Sequence, residues 1–278
     1  MTQHLIIQGE EVETPDLKAL AKMTGAASIE QVAPQAFRLC CARRVEEVGP
    51  FCDAARLDWG YVPAGQRLAG FGLLAVDMDS TLIAIECIDE LADIAGVKDE
   101  VAALTAAAMD GALDFAQSLR RRVALLAGLP ATALEQVYGE RLTLNPGAER
   151  LLREVKRAGL KTMLVSGGFT FFTERLKDRL GFDYAAANTL EIADGRLTGR
   201  VLGELVDAER KAAELRRIRD TLALSRAQVI AVGDGANDLK MLREAGVSIA
   251  YRAKPVVRQE ATYVINYVGL DGILHLFE

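Results

Sequence analysis

The hydrophobic pattern of the chain changes character near residue 70. Before it, short apolar stretches at Leu5–Gln8 and Phe37–Cys41 predict strands, and the spacing over Pro15–Met23 and Val45–Leu57 predicts helices. Gly60, Pro63 and Gly65 predict a linker, so residues 1–68 read as a small α/β module with no acid, base or ligand cluster. Trp59 reads there as a packing residue. After Phe71 the pattern becomes strand, turn, helix, repeated. Leu73–Val76 is a wholly apolar run of the kind buried on both faces inside a parallel sheet. Further strands are predicted at Leu160–Val165, Gln228–Val232, Val247–Ala250 and Tyr263–Asn266, with a hairpin around Asp194-Gly195. Helices are predicted over Pro146–Ala158, Phe169–Leu180 and Ala208–Leu224, the first two followed by Gly159 and Gly181 at their C-caps. Such alternation implies an α/β fold with a doubly wound parallel sheet and right-handed crossovers.

Between about 84 and 145 no strand is predicted, only helices at Glu86–Ala95, Lys98–Met109, Asp114–Ala127 and Thr132–Tyr138. Asp114 with Gln117 has the spacing of a capping box. Helices inserted straight after the first strand of the sheet would lie over its carboxyl edge as a cap. The expected organisation is a module at 1–68 and a larger domain at 69–278 carrying this cap.

Composition narrows the function. The 278 residues are 50% hydrophobic with a net charge of −6, which leaves no basic stripe for nucleic acid. Cys40, Cys41, Cys52 and Cys87 form no Cys-x-x-Cys pair and only two histidines accompany them, so free thiols in a reducing cytoplasm are expected rather than a zinc site. The first ten residues lack a basic, apolar leader, and no run approaches the ~20 apolar residues of a membrane span. A cytoplasmic protein with a small-molecule partner, no nucleic acid and no membrane is expected, and a homodimer is compatible with all of this.

The most telling segment is Asp77-Met78-Asp79-Ser80-Thr81, directly after Leu73–Val76. Two carboxylates at the carboxyl end of a central strand stand where open α/β sheets place their chemistry, and burial requires a cation to compensate them. Asp77 and Asp234, each just after a strand, could share one Mg²⁺, with Asp238 binding directly or through water. Taken alone, Asp234 and Asp238 equally suit a turn and an N-cap. Asp79 suits a general acid and base, its pKa raised by neighbouring carboxylates and lowered by a metal. Ser166-Gly167-Gly168 at a strand-to-helix junction would offer a hydroxyl and backbone amides to an anion, or merely turn a tight corner. Lys211 could reach a phosphate oxygen, although among Glu209, Arg210 and Glu214 it reads first as a solvated lysine.

Helical geometry singles out one arginine. At 100° per residue Arg122 falls about 20° from Phe115, within the apolar stripe of Phe115, Leu119 and Leu126, whereas Arg120 and Arg121 point away. An arginine on an apolar face needs an anion, and a substrate carboxylate suits its fork. Glu86 could take an ammonium, or simply complement a helix dipole. Together the two would recognise an α-amino acid zwitterion.

In order, Asp77-Met-Asp-Ser-Thr-Leu, Ser166-Gly-Gly-Phe, Lys211 and Gly233-Asp-Gly-Ala-Asn-Asp resemble the four motifs of the haloacid dehalogenase superfamily of phosphatases. Glu86-Cys-Ile-Asp-Glu, Met109 to Val123 and Ala187-Asn188 are similar to the branch that hydrolyses O-phospho-L-serine. The resemblance implies a Rossmann-like, haloacid dehalogenase-like fold with Asp77 as nucleophile and Asp79 as acid and base. It implies Mg²⁺ held by Asp77, Asp234 and the backbone carbonyl of Asp79, with Asn237 and Asp238 completing the site. Ser166, Gly167 and Lys211 would bind phosphate, Glu86 and Arg122 the serine ammonium and carboxylate, and Met109 and Phe115 would line the pocket. Serine biosynthesis is the implied setting. Transfer of the phosphoryl group to another alcohol, a broader small-molecule phosphatase and a serine-binding module without turnover stay open. Bacterial members of this branch often carry an amino-acid-binding, ACT-like regulatory domain at the N-terminus, where this segment is short and shows two clear strands.

Overall fold

Leu73, Leu74, Ala75 and Val76 alternate between two hydrophobic cores on opposite faces of one sheet, and all four are buried. The structure, a computed structural model, describes residues 2–109 and 113–278, with the backbone alone at Met109.

The N-terminal part runs β1 (Gln3–Gln8), α1 (Thr14–Thr24), β2 (Ser28–Ala33), β3 (Ala36–Cys40), α2 (Val48–Ala54) and β4 (Asp58–Pro63). Its sheet has the order β2-β3-β1-β4 and is antiparallel throughout, the split β–α–β arrangement of ferredoxin-like folds. Leu5, Ile7 and Leu39 pack with Leu17 and Leu20 of α1 and with Val48 and Cys52 of α2. On the opposite face Ile6 and Val62 join the main core. This corrects the reading of two strands and a linker. β2 is largely exposed and mixes Ser, Glu and Gln with Ile and Val, so it carries no clean alternation. Gly60 sits within β4 because the Tyr263 ring presses against it; a Cβ there would come 2.7 Å from Tyr263 Cδ1. The helix expected over Val45–Leu57 is confined to Val48–Ala54.

The second sheet begins with β5 (Leu73–Val76), followed by the cap helices α3 (Cys87–Ala95), α4 (Lys98–Met109), α5 (Phe115–Ala124) and α6 (Thr132–Gln136). Then come α7 (Ala148–Arg157), β6 (Lys161–Phe169), α8 (Thr170–Leu180), β7 (Tyr184–Ala193), β8 (Arg196–Leu202), α9 (Ala208–Thr221), β9 (Val229–Gly233), α10 (Leu239–Arg243), β10 (Val247–Tyr251), α11 (Pro255–Glu260) and β11 (Tyr263–Ile265). The strand order is β11-β10-β9-β5-β6-β7-β8, parallel up to β7, with β8 antiparallel at the edge. Side chains of α7 and α8 cover one face, and those of α9, α10 and α11 the other, as double winding requires. Each fully buried Leu or Val in these layers contributes about 1.5–3 kcal/mol.

The Asp194-Gly195 turn between β7 and β8 has φ of 49° and 72°, as a type I′ hairpin needs. That hairpin grips the end of α5. Gly128 N–H donates to the Leu197 carbonyl at 2.8 Å, Leu197 N–H to Leu129 at 2.9 Å, and Ala131 N–H to Gly195 at 2.8 Å. Asp114 caps α5 by accepting from Gln117 N–H at 2.7 Å. Among the described residues the four cysteines are free, with Cys41 exposed, and no helix is long and apolar enough to cross a membrane.

Candidate active site

β5 and β9 are neighbours at the centre of the sheet, so Asp77 and Asp234 leave adjacent strand ends side by side. Asp238, at the N-terminus of α10, turns back beneath them: its Oδ2 accepts from Asp234 N–H at 3.1 Å and Gly235 N–H at 3.0 Å. Asp234 Oδ1 accepts from Thr81 Oγ1 at 2.9 Å. One carboxylate oxygen from each of Asp77, Asp234 and Asp238 lies within 4.8 Å of the others.

Lys211, in the first turn of α9, is fully buried against this group. Its Nζ donates to Asp77 Oδ1 at 2.6 Å and to Asp238 Oδ1 at 2.8 Å. Burial works against its charge, but Asp238 and Asp77 outweigh that and raise its pKa. Burial followed by Asp238 raises the Asp77 carboxyl well above the usual range, and Lys211 only partly offsets this. Asp234 is pushed up to about 6 by burial and then by Asp238. Two of the three carboxylates thus pair with one buried ammonium, and an all-oxygen donor set with surplus negative charge fits a hard divalent cation such as Mg²⁺.

Asp79 stands apart from that cluster. Its Oδ1 accepts from Cys87 N–H at 3.0 Å, at the start of α3, and its Oδ2 from Ser166 Oγ at 3.2 Å. Burial raises its pKa against these donors. Ser80, in the turn after it, takes a left-handed φ of 57°, and its Oγ donates to Glu86 Oε1 at 2.6 Å. The buried Asn145 amide holds this turn by donating to the Thr81 and Ile83 carbonyls at 2.8 and 3.1 Å.

Ser166, Gly167 and Gly168 stand at the strand-to-helix junction, in the last residues of β6 before α8 begins at Thr170, and the pairing with β7 skips from Val165 to Phe169, which leaves them bulged. Ser166 Oγ accepts from Gly168 N–H at 2.8 Å, and Asn188 donates to the Gly167 carbonyl at 2.8 Å. A Cβ on Gly168 would stand 2.5 Å from Asp79 Oδ2, and one on Gly167 would press on the Phe115 ring at 3.2 Å.

Asp77, Asp79, Asp234 and the Ser166–Gly168 stretch open on one cavity of about 480 Å³ between sheet and cap, with Lys211 and Asp238 buried behind them. Its sheet side presents Asp77, Asp79, Ser166, Gly167, Asp234 and Asn237; its cap side presents Glu86, Asp89, Phe115 and Arg122. Glu86 stays within reach of water, yet the enclosing protein and then Asp79 push its carboxyl up to about 7. Arg122 is lowered by burial while Asp89, Glu86 and Asp79 work to hold its charge. Of the residues expected at the site, only the Met109 side chain lies outside the described residues. Sequence reasoning overlooked Asn145, a residue before proline that reads as a turn former. Asp89 was legible in principle, three residues after Glu86 in the first turn of α3.

A family model described as haloacid dehalogenase-like hydrolase matches residues 74–243. The chain belongs to that family. As a haloacid dehalogenase-like hydrolase it is an enzyme, and several curated relatives are named phosphoserine phosphatase. A phosphoserine phosphatase of Polaromonas sp. is 55% identical over 215 residues, covering 76% of this chain and 91% of the relative. The solved structure of a probable phosphoserine phosphatase from Vibrio cholerae, unliganded, matches with a TM-score of 0.87 at 38% identity, over 99% of this chain and 86% of that one. A phospho-aspartyl intermediate analogue of phosphoserine phosphatase matches with a TM-score of 0.70 at 42% identity, over 75% of this chain and 99% of that one. Residues 5–48 of this hydrolase also match a model described as a domain of unknown function.

Proposed function

We propose that this hydrolase converts O-phospho-L-serine and water to L-serine and phosphate, as the last step of serine biosynthesis in the cytoplasm. The observation that carries the proposal is a single cavity with a phosphate-handling end at Asp77, Asp79 and Ser166 and a zwitterion-handling end at Glu86 and Arg122. Relatives named phosphoserine phosphatase support the same reading.

In the first half-reaction an Asp77 carboxylate oxygen forms the bond to phosphorus as the phosphorus–serine oxygen bond breaks, and Asp79 gives its proton to the leaving serine oxygen. In the second, Asp79 takes a proton from water as that water attacks phosphorus, freeing phosphate and restoring Asp77. Lys211 fixes the attacking carboxylate and, with Ser166 and Gly167, offers donors to the phosphoryl oxygens. Mg²⁺ held by Asp77, Asp234, the Asp79 carbonyl and Asp238 would neutralise charge between carboxylate and phosphate. Arg122 would meet the serine carboxylate and Glu86 its ammonium, with Asn237 and Phe115 closing the walls. The ferredoxin-like N-terminal module has the element order of an ACT-like regulatory unit, the role we assign to residues 1–68.

The test is phosphate release from phosphoserine, phosphothreonine and sugar phosphates, with and without EDTA. A clear preference for phosphoserine, abolished by EDTA and restored by Mg²⁺, is expected; equal rates on all substrates would reject the amino-acid assignment. Asp77→Asn should abolish turnover and the acid-trapped phosphoenzyme while preserving the fold.

A further inference from the structure

Arg122 is half-buried in the cavity wall, and among the described residues no carboxylate forms an ion pair with it; its buried Nε has no hydrogen-bond partner. A guanidinium on a long stem would lose its aim under those conditions unless something neutral held it. The one hydrogen bond it makes among the described residues is Nη1 to Thr105 Oγ1, 3.4 Å away on α4. Thr105 in turn donates its hydroxyl proton to the Val101 carbonyl at 3.1 Å, one helical turn back. A hydroxyl has one proton. With that proton engaged by Val101, Thr105 can offer Arg122 only lone pairs, so the helix itself sets the polarity of the contact. A carboxylate in this place would neutralise Arg122 and compete with the substrate; a hydroxyl acceptor orients the fork and leaves its charge available. A second bridge, Ser118 Oγ to the Leu104 carbonyl at 3.3 Å, fixes α4 against α5 at the same level.

We propose that Thr105 is a positioning residue that sets substrate specificity by aiming Arg122 at the substrate carboxylate. This rests on the reading of phosphoserine as substrate, and the two fail in different ways. The experiment is steady-state kinetics of wild type, Thr105→Val and Thr105→Ser on O-phospho-L-serine and on O-phosphoethanolamine, which keeps the phosphate and ammonium but lacks the carboxylate. Thr105→Val keeps the shape and removes the acceptor. It should raise KM for phosphoserine about fivefold with kcat little changed, since the lost contact orients binding rather than chemistry. Phosphoethanolamine kinetics should not move, and Thr105→Ser should restore KM for phosphoserine. Should Thr105→Val unfold at assay temperature, Thr105→Ala at lower temperature reports the same loss. An unchanged KM for phosphoserine, an equal rise for both substrates, or a fall in kcat alone would overturn the inference. Wild type that handles the two substrates equally well would instead remove the substrate reading itself, and this inference with it.

Discussion

The Lys211 ammonium lies 2.6 Å from Asp77 Oδ1, joining residues 134 positions apart in a site with almost no exposure to water. The same ammonium holds Asp238 at 2.8 Å. Replacing it by Met leaves carboxylates buried without their cation. Lys211→Met should lower kcat by about 10²–10³, as loss of a fixed charge at a reacting centre does. In EDTA it should also cost about 3 kcal/mol of stability in urea unfolding, because the remaining charges are uncompensated. A variant as stable as wild type would show the carboxylates protonate at no cost.

Gly168 is required by space. Gly168→Ala places a methyl group against Asp79 Oδ2 and the Ser166 hydroxyl. Asp79 must move away, so kcat for phosphoserine should fall about 100-fold. A p-nitrophenyl ester, whose leaving group needs no proton, should lose much less in the first half-reaction; a burst of p-nitrophenol reads this.

The enclosing protein and then Asp79 push the Glu86 carboxyl up to about 7, although the residue stays exposed to water. Only the charged form attracts an ammonium. KM for phosphoserine should therefore rise as pH falls below about 7, relative to KM for an aryl phosphate lacking the ammonium, and Glu86→Gln should remove the difference. The sign for stability is opposite: a carboxyl with a raised native pKa favours the fold at low pH and loses that contribution as pH rises toward 7.

Asp58 at the start of β4 is buried and accepts from the backbone N–H groups of Asn266, Tyr267 and Val268 at 2.7–3.0 Å. Asp58→Ala strands three amides at the junction of the two sheets. A loss of about 3 kcal/mol or more is expected in urea unfolding, with Asp58→Asn losing less because one acceptor oxygen survives.

What was legible in the sequence follows from local physics. Leu73–Val76 could be read because a strand buried on both faces must be apolar throughout, and Arg122 because its angle on α5 is fixed by the helix. The burial of Lys211 was not legible from its neighbours: the partners that hold it, Asp77 at the end of β5 and Asp238 at the start of α10, are far away in sequence. β2 and β4 were hidden for opposite reasons. One is an exposed edge without alternation, and the other carries a glycine whose purpose is a tyrosine two hundred residues later. The Ser166–Gly168 stretch read equally as an anion cradle or a tight corner, because small residues suit both, and its smallness also makes room for Asp79 and Phe115.

The backbone bonds from residues 128–131 to the β7–β8 hairpin fasten the roof of the cavity along a second side, beyond its covalent joins at both ends. A roof so fastened does not lift away whole. Arg122 rides on α5, the helix that the hairpin grips, so the edge of the sheet braces the element that carries the cavity's arginine.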